Sequence, residues 1–414
     1  MSRSHLGPAV GAALFAALVL GVALSTPGRR RTPEYHKDIA PILSRHCNDC
    51  HGPKGNAPFT RLDSFEAVRS LSSRVKRYIA NREKPFPGVD NTGYCGSWAN
   101  VRWLSAEEIV TVLDWVEGGM PEGSAAPRTP QERPAPAPFR TDATFDIGGV
   151  FKPGFGEGGH RCFVVKGVEA STVLTAMRID ATDRRAIEQV ALYALDDDDA
   201  VSRAKTLDAA QPGLGFHCYG TPEVENLRLV ASWLVGDDVT RFPAGLGARV
   251  PGGRPLLVQV HYNIGWAGSE YASDLRVEAE LDPKAKALRT EMLTASVPEL
   301  PPRKRGVAVF STRRIEQPTR LVAVAPQLHA RGRTLQLTVD RGSADPTCLA
   351  TFDHWHYPAA RLVSSLTLPR LAGGEGLRLS CAFQTLGTGT PVKFGRGSDE
   401  EECVAWVYFD DETP

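Results

Sequence analysis

The most chemically specific string in this chain is Cys47-Asn48-Asp49-Cys50-His51, two cysteines three positions apart with a histidine directly after the second. Thiols at that spacing reach the two vinyl groups of one porphyrin, while the adjacent imidazole reaches its iron. The string predicts one covalently held haem c, with Cys47 and Cys50 as attachment points and His51 as an axial ligand. The group on the far side of the iron sets the chemistry: a Met or His suits electron transfer, whereas an open position admits a small ligand. After Met1 the chain has only Met120, Met177 and Met292, and Met120 alone falls near the string. Met120 is the candidate sixth ligand, the alternative being a hydrophobic side chain packed against the segment that follows.

Other residues could meet a metal. His261 lies in a strand-like run, His329 precedes Ala330-Arg331, and His354 and His356 sit at strand spacing on one face, so two imidazoles could approach one cation with His329. For His261 the competing reading is a hydrogen-bonded strand histidine without metal. His160 and His217 each neighbour a cysteine, Cys162 and Cys218, which favours a disulfide there over a metal. Beyond the haem string six cysteines remain, Cys95, Cys162, Cys218, Cys348, Cys381 and Cys403, and six cysteines allow fifteen pairings. The run Asp196-Asp197-Asp198-Asp199 lacks the spaced ligands of a calcium loop and reads as a solvated turn.

The elements that must hold these residues change in character along the chain. A short helix through Tyr35 and Leu43 leads into the haem string, a second runs through Ser64 and Asn81, and a third starts at Ser105 with Glu107 and Glu108 in its first turn. Ile109, Val112, Leu113 and Val116 keep helical spacing until Gly118-Gly119. Pro, Ala and charged residues then form an extended linker. Beyond it lie strand-like runs such as Gln189-Val190-Ala191-Leu192-Tyr193, Leu256-Leu257-Val258-Gln259-Val260-His261-Tyr262 and Cys403-Val404-Ala405-Trp406-Val407-Tyr408.

A length of 414 residues exceeds what one core holds. Lys plus Arg and Asp plus Glu number 48 each, so no basic field exists to hold nucleic acid. With 39 Gly and 31 Pro the composition favours a turn-rich, β-dominated chain. Arg3 followed by the apolar run 8–24 reads as an export segment, either a signal peptide with Ala23-Leu24-Ser25 as its cleavage site or an uncleaved membrane anchor. Thioether-bound haem and paired cysteines both call for an extracytoplasmic, oxidising compartment such as a periplasm or cell envelope.

Residues 35–124 resemble the small monohaem cytochrome c domains. The likeness rests on Asp38-Ile39-Ala40-Pro41-Ile42-Leu43, the haem string, Ala57-Pro58-Phe59, Leu104-Ser105-Ala106-Glu107-Glu108 and Trp115-Val116-Glu117-Gly118-Gly119-Met120-Pro121-Glu122-Gly123. Where the family carries M-P-P-W, this chain has Lys84-Pro85-Phe86-Pro87. The resemblance therefore implies that Met120 takes over as sixth ligand, that Lys84 ligates instead, or that the position is open or water-bound.

Residues 140–412 resemble the copper type II ascorbate-dependent monooxygenases, which hydroxylate an unactivated C–H bond. The strings that carry this are Arg161-Cys162-Phe163-Val164, Cys218-Tyr219-Gly220, Val258-Gln259-Val260-His261-Tyr262-Asn263, Leu328-His329-Ala330-Arg331-Gly332, and Leu379-Ser380-Cys381 with Glu401-Glu402-Cys403-Val404. The resemblance implies paired β-sandwiches, a Cys381–Cys403 disulfide and two copper sites. In the family one copper takes a His-His pair plus the His of H-Y-N, and the other takes H-x-H plus the Met of E-E-M-C. Here Glu188-Gln189 replaces the pair and leaves His261. At the second site His329 stands, but Arg331 and Glu402 occupy the other positions. A guanidinium cannot bind a metal, so Arg331 is expected to pair with Glu402 and close the site.

The expected fold is multidomain: an export or anchor segment over 1–28, a small all-α cytochrome c-like domain over 33–124, a linker over 125–139, and two all-β, jelly-roll-like sandwiches over 140–280 and 281–412. The expected function is extracytoplasmic electron transfer through one haem, with a monooxygenase-like module that lacks working copper. The alternatives are an active copper monooxygenase fed by its haem and a non-redox envelope binding protein. The electron donor and acceptor leave no trace in the sequence, and membrane contact would come only through the N-terminal segment.

Overall fold

The computed structural model describes residues 31–53, 55, 57, 59–83, 85, 88–124, 138–153, 159–263, 271–342, 345–353, 355 and 360–412. The apolar run 8–24, the bulk of the linker, Lys84, His354 and His356 lie outside the described residues.

Strand dominates the described chain. A five-stranded sheet is built around Leu256–Tyr262, which pairs antiparallel with Gly159–Val165 on one side and Ile187–Leu195 on the other. All seven residues of Leu256–Tyr262 are buried, because both faces of this sheet are covered. The sheet lies in the first core, and the helix Asp198–Ala209 packs on Gly159–Val165 and Ile187–Leu195 with Ala200 and Ala204 buried in that core. A four-stranded sheet in the second half behaves differently: buried and part-exposed residues alternate along Gly376–Phe383, the pattern of a strand with one face on a core and one in water.

The expected architecture requires correction. One eleven-stranded sheet passes through both β halves, so the two sandwiches are not separate bodies. The join is a parallel seam in which Lys286, Ala287 and Leu288 pair with Leu246, Gly247 and Ala248. Nor does the N-terminal stretch form a small all-α domain. Its helices Ala40–His46, Asn48–His51, Phe65–Ser70, Ser72–Ala80 and Ala106–Glu117 gather around Tyr35, Ile39, Leu43, Val112 and Trp115. Between them, however, Trp98–Ala99 forms the edge strand of the eleven-stranded sheet, paired with Ser365 and Ser364. Val89 and Trp98 are buried in the second β core, where their apolar surface finds more cover than five short helices can offer.

Locally, Ser105 caps Ala106–Glu117 in a capping box, its hydroxyl accepting from Glu108 N while the Glu108 carboxylate accepts from Ser105 N. The second helical stretch breaks at Leu71, whose ψ of 9° interrupts the hydrogen-bond ladder. The acidic run is not a solvated turn: Asp197 is an N-cap, its carboxylate accepting from Ala200 N, and Asp198 and Asp199 begin a helix whose positive end their charges favour.

Among the described residues three disulfides form. Cys162–Cys218 and Cys381–Cys403 pair as expected, and Cys95–Cys348 ties the N-terminal stretch to the second β core across 253 residues of sequence. Three disulfides fit an extracellular or otherwise oxidising compartment. Among the described residues no helix is long and apolar enough to cross a membrane.

Candidate functional site

The haem string occupies a tight turn between two short helices. Cys47 N donates to Leu43 O at 2.8 Å as Ala40–His46 ends, and His51 N donates to Cys47 O at 2.9 Å as Asn48–His51 makes a single turn. That turn holds Cys47, Cys50 and His51 on one short stretch of backbone. The following loop folds back over it, with Ala57 N bonded to Cys50 O and Leu62 N to His51 O. Folding back delivers Thr60 to the imidazole. His51 Nδ1–H donates to Thr60 O at 2.7 Å, with Thr60 Oγ1 at 2.9 Å. Fixing the proton on Nδ1 makes Nε2 the lone-pair nitrogen, the atom an iron would need.

These residues fit a covalent haem. The other six cysteines are consumed by disulfides, which leaves Cys47 and Cys50 as thiols. Burial pushes the Cys47 thiol up to about 12, so it rests protonated. Phe59, 78% exposed beside this turn, is the kind of apolar surface a porphyrin face would cover. Met120 follows Ala106–Glu117 in a left-handed conformation (φ 59°), its amide donating to Trp115 O at 3.0 Å, and its side chain packs part-buried on the helical cluster that Cys47 also touches. Thr60 was not foreseeable from the sequence, because only the closed loop brings it to His51.

The second half brings together a row of groups that are far apart in sequence. His160 and His261 face each other on paired strands, ring centroids 4.6 Å apart. His261 Nδ1 lies 3.2 Å from Glu188 Oε2, and Glu188 also accepts from Asn263 Nδ2 at 2.6 Å. Tyr219 stands edge-on between His160, at 5.4 Å, and His329, at 4.7 Å. Beyond it, His329 Nε2 meets Glu402 Oε1 at 3.0 Å and Nδ1 meets Glu400 O at 2.8 Å. Burial, and then the neighbouring His261 and His329, hold His160 well below the ordinary histidine range. For His329, burial pulls down, but the hydrogen bond and charge of Glu402 outweigh it and the pKa rises.

This row does not fit the two copper sites. Both ring nitrogens of His329 already face protein oxygens, Nδ1 the Glu400 carbonyl and Nε2 the Glu402 carboxylate, rather than a shared metal position. His261 is engaged by Glu188, and Gln189, its register partner, offers no imidazole. Among the described residues no group of three or more His, Cys, Asp or Glu is placed to hold a metal ion. His217 is exposed at the end of a short strand, where it pairs with Arg161.

The expected Arg331–Glu402 pair does not form. Arg331 is instead held by Glu401, its amide 2.7 Å and its guanidinium 3.6 Å from Glu401 Oε1. Adjacent residues in extended chain face opposite ways, so Glu401 turns to Arg331 while Glu402 turns inward to His329 and Thr221 N. Close packing at this point depends on Gly220. It has φ +51°, and a Cβ there would lie 2.1 Å from His329 Nε2 and 2.5 Å from Glu402 Oε1. Gly220→Ala is therefore expected to cost about 2–3 kcal/mol, seen as a lower denaturant midpoint. An unchanged midpoint would show that the pair is not packed against residue 220.

No family model matches the sequence, and no curated protein matches it. Among solved structures the chain is similar to the major capsid protein P2 from bacteriophage PM2, with 10% identity over 66% of this chain and 98% of that one and a TM-score of 0.24. It is also similar to the VP2 subviral particle of infectious bursal disease virus, with 9% identity, 65% and 67% of the two chains covered and a TM-score of 0.17. At these scores the likenesses carry no argument about fold or function.

Proposed function

We propose that the chain is an extracytoplasmic one-electron redox protein that holds a single covalent haem at Cys47, Cys50 and His51, on a β frame resembling the copper type II monooxygenases but without their copper. The observation that carries this reading is the Thr60 bond to His51 Nδ1, together with two thiols that no disulfide uses. A haem bound there supplies a one-electron Fe(III)/Fe(II) couple. Cys47 and Cys50 would hold the haem as two thioethers, each thiol adding its S–H across one vinyl group so that sulfur and hydrogen end on the two vinyl carbons. His51 presents Nε2, and Thr60 prevents the ring from turning or changing tautomer. Met120 packs on the same helical cluster as Cys47 and is the side chain of this chain proposed as the second protein ligand of the haem. The electron enters from and leaves to external one-electron carriers.

Three disulfides support placing the protein in a periplasm or cell envelope, reached by way of the apolar run 8–24. The 3.0 Å approach of His329 Nε2 to Glu402 Oε1 supports a frame closed by a His329–Glu402 contact where the resemblance would put catalytic copper. Intact mass and metal analysis of the full chain test both parts. The expected result is the polypeptide mass plus one haem, one iron per chain and no copper. An iron-free chain would overturn the haem assignment, and two coppers per chain would overturn the closed frame.

A further inference from the structure

The stretch after Trp98–Ala99 is stitched to the β frame, and its central stitch also reaches the haem turn. Asn100 Nδ2 donates to Arg241 O at 3.0 Å. Two residues on, the Arg102 guanidinium makes three contacts: to His46 O at 3.2 Å, to the carboxylate of Asp49 inside the haem string, and to Gly236 O on the β frame. Gly236 is built to receive it. Its φ is +92°, and a Cβ would lie 2.7 Å from Arg102 Cζ, so a side chain at 236 would occupy the place of the guanidinium. The next residue, Asp237, is buried against Arg361 at 2.9 Å, which stiffens the turn from the other side. One arginine thus spans the haem-bearing turn and the β frame, with a charged partner on the first and a carbonyl on the second.

We infer that Arg102 is a positioning residue for the haem, fixing the Cys47–His51 turn to the β frame, and that its charge and that of Asp49 shift the reduction potential of the attached iron in opposite directions and offset each other. This rests on the haem reading above. Reduction adds an electron, so a positive charge held near the iron favours the reduced form and a negative charge disfavours it. Arg102 is only 16% exposed and Asp49 29%, so water screens the pair incompletely. Two further charged groups lie near this pair: the Asp237–Arg361 pair, whose carboxylate also acts on Arg102, and the cluster of Arg45, His46 and Glu108, with Glu108 Oε1 bonded to both Arg45 and His46. Both are unchanged in every variant below.

The test is a spectroelectrochemical titration of the full-length haem protein in three variants: Arg102→Gln, Asp49→Asn and the two combined. The midpoint potential is expected to fall in Arg102→Gln, to rise in Asp49→Asn, and to return near the starting value in the double variant. A role as mere glue between haem turn and frame would move both single variants in the same direction or leave both potentials unchanged, and either outcome overturns the inference. Should Arg102→Gln fail to accumulate, Asp49→Asn decides alone: a rise supports the inference and an unchanged potential overturns it. Failure of the haem reading would appear separately, as an unmodified chain without haem in its intact mass.

Discussion

A chain carrying Cys47→Ala and Cys50→Ala together is expected to emerge with no covalent haem at all. Its intact mass should equal that of the polypeptide, and haem staining after denaturing electrophoresis should be absent. The size of this effect follows from the cysteine inventory. Cys95, Cys162, Cys218, Cys348, Cys381 and Cys403 are joined in pairs, so no third thiol stands ready to substitute. Each single variant keeps one thiol on the turn and should retain haem by one thioether. Neither Cys47 nor Cys50 belongs to the two β cores, and Cys47 packs on the helical cluster, so the disulfides and thermal midpoint of the β halves should survive the double change. Haem still bound after denaturation of the double variant would show that attachment lies elsewhere in the chain.

The second large effect concerns Cys95–Cys348. Replacing both by Ala opens a loop of 253 residues, and loop-closure entropy of that order corresponds to about 5 kcal/mol. Around the bond, Thr351 Oγ1 lies 3.3 Å from both sulfurs and Gln336 Nε2 lies 3.6 Å from Cys348 Sγ, contacts that the substitution also removes. The strand Trp98–Ala99 pairs by only two residues and depends on this tether to stay on the sheet. Thermal unfolding should move to a clearly lower midpoint, with earlier proteolytic cleavage between residues 88 and 104. A variant as heat-resistant and protease-resistant as the parent would mean that burial of Trp98 and the Asn100 and Arg102 contacts hold the stretch without the disulfide.

Long apolar runs and strong caps were legible in the sequence. Leu256–Tyr262 announces a buried strand by seven residues without a charge, and Ser105 with Glu108 announces a helix start. The sheet that unites the two halves was not legible, because its seam is three residue pairs long and strand pairing carries no local signature. Trp98–Ala99 is too short to show alternation, which is why the surrounding helices alone suggested an all-α unit. Asp197 misled for a different reason: an acidic run at a helix N-terminus has the same composition as a solvated turn. At the site, Cys47, Cys50 and His51 could be read from spacing, whereas Thr60, Arg102 and Tyr219 reach their places only through loop closure. The choice between Glu401 and Glu402 as partner of Arg331 turned on which way each residue faces, and one residue of register decides that.

The parallel seam between Leu246–Val250 and Lys286–Thr294 has a consequence for how the molecule comes apart. Strands that share backbone hydrogen bonds cannot be released one side at a time, since freeing either core strips donors and acceptors from the edge of the other. The two β cores should therefore melt in a single cooperative transition, and whatever steadies one of them is felt by its neighbour.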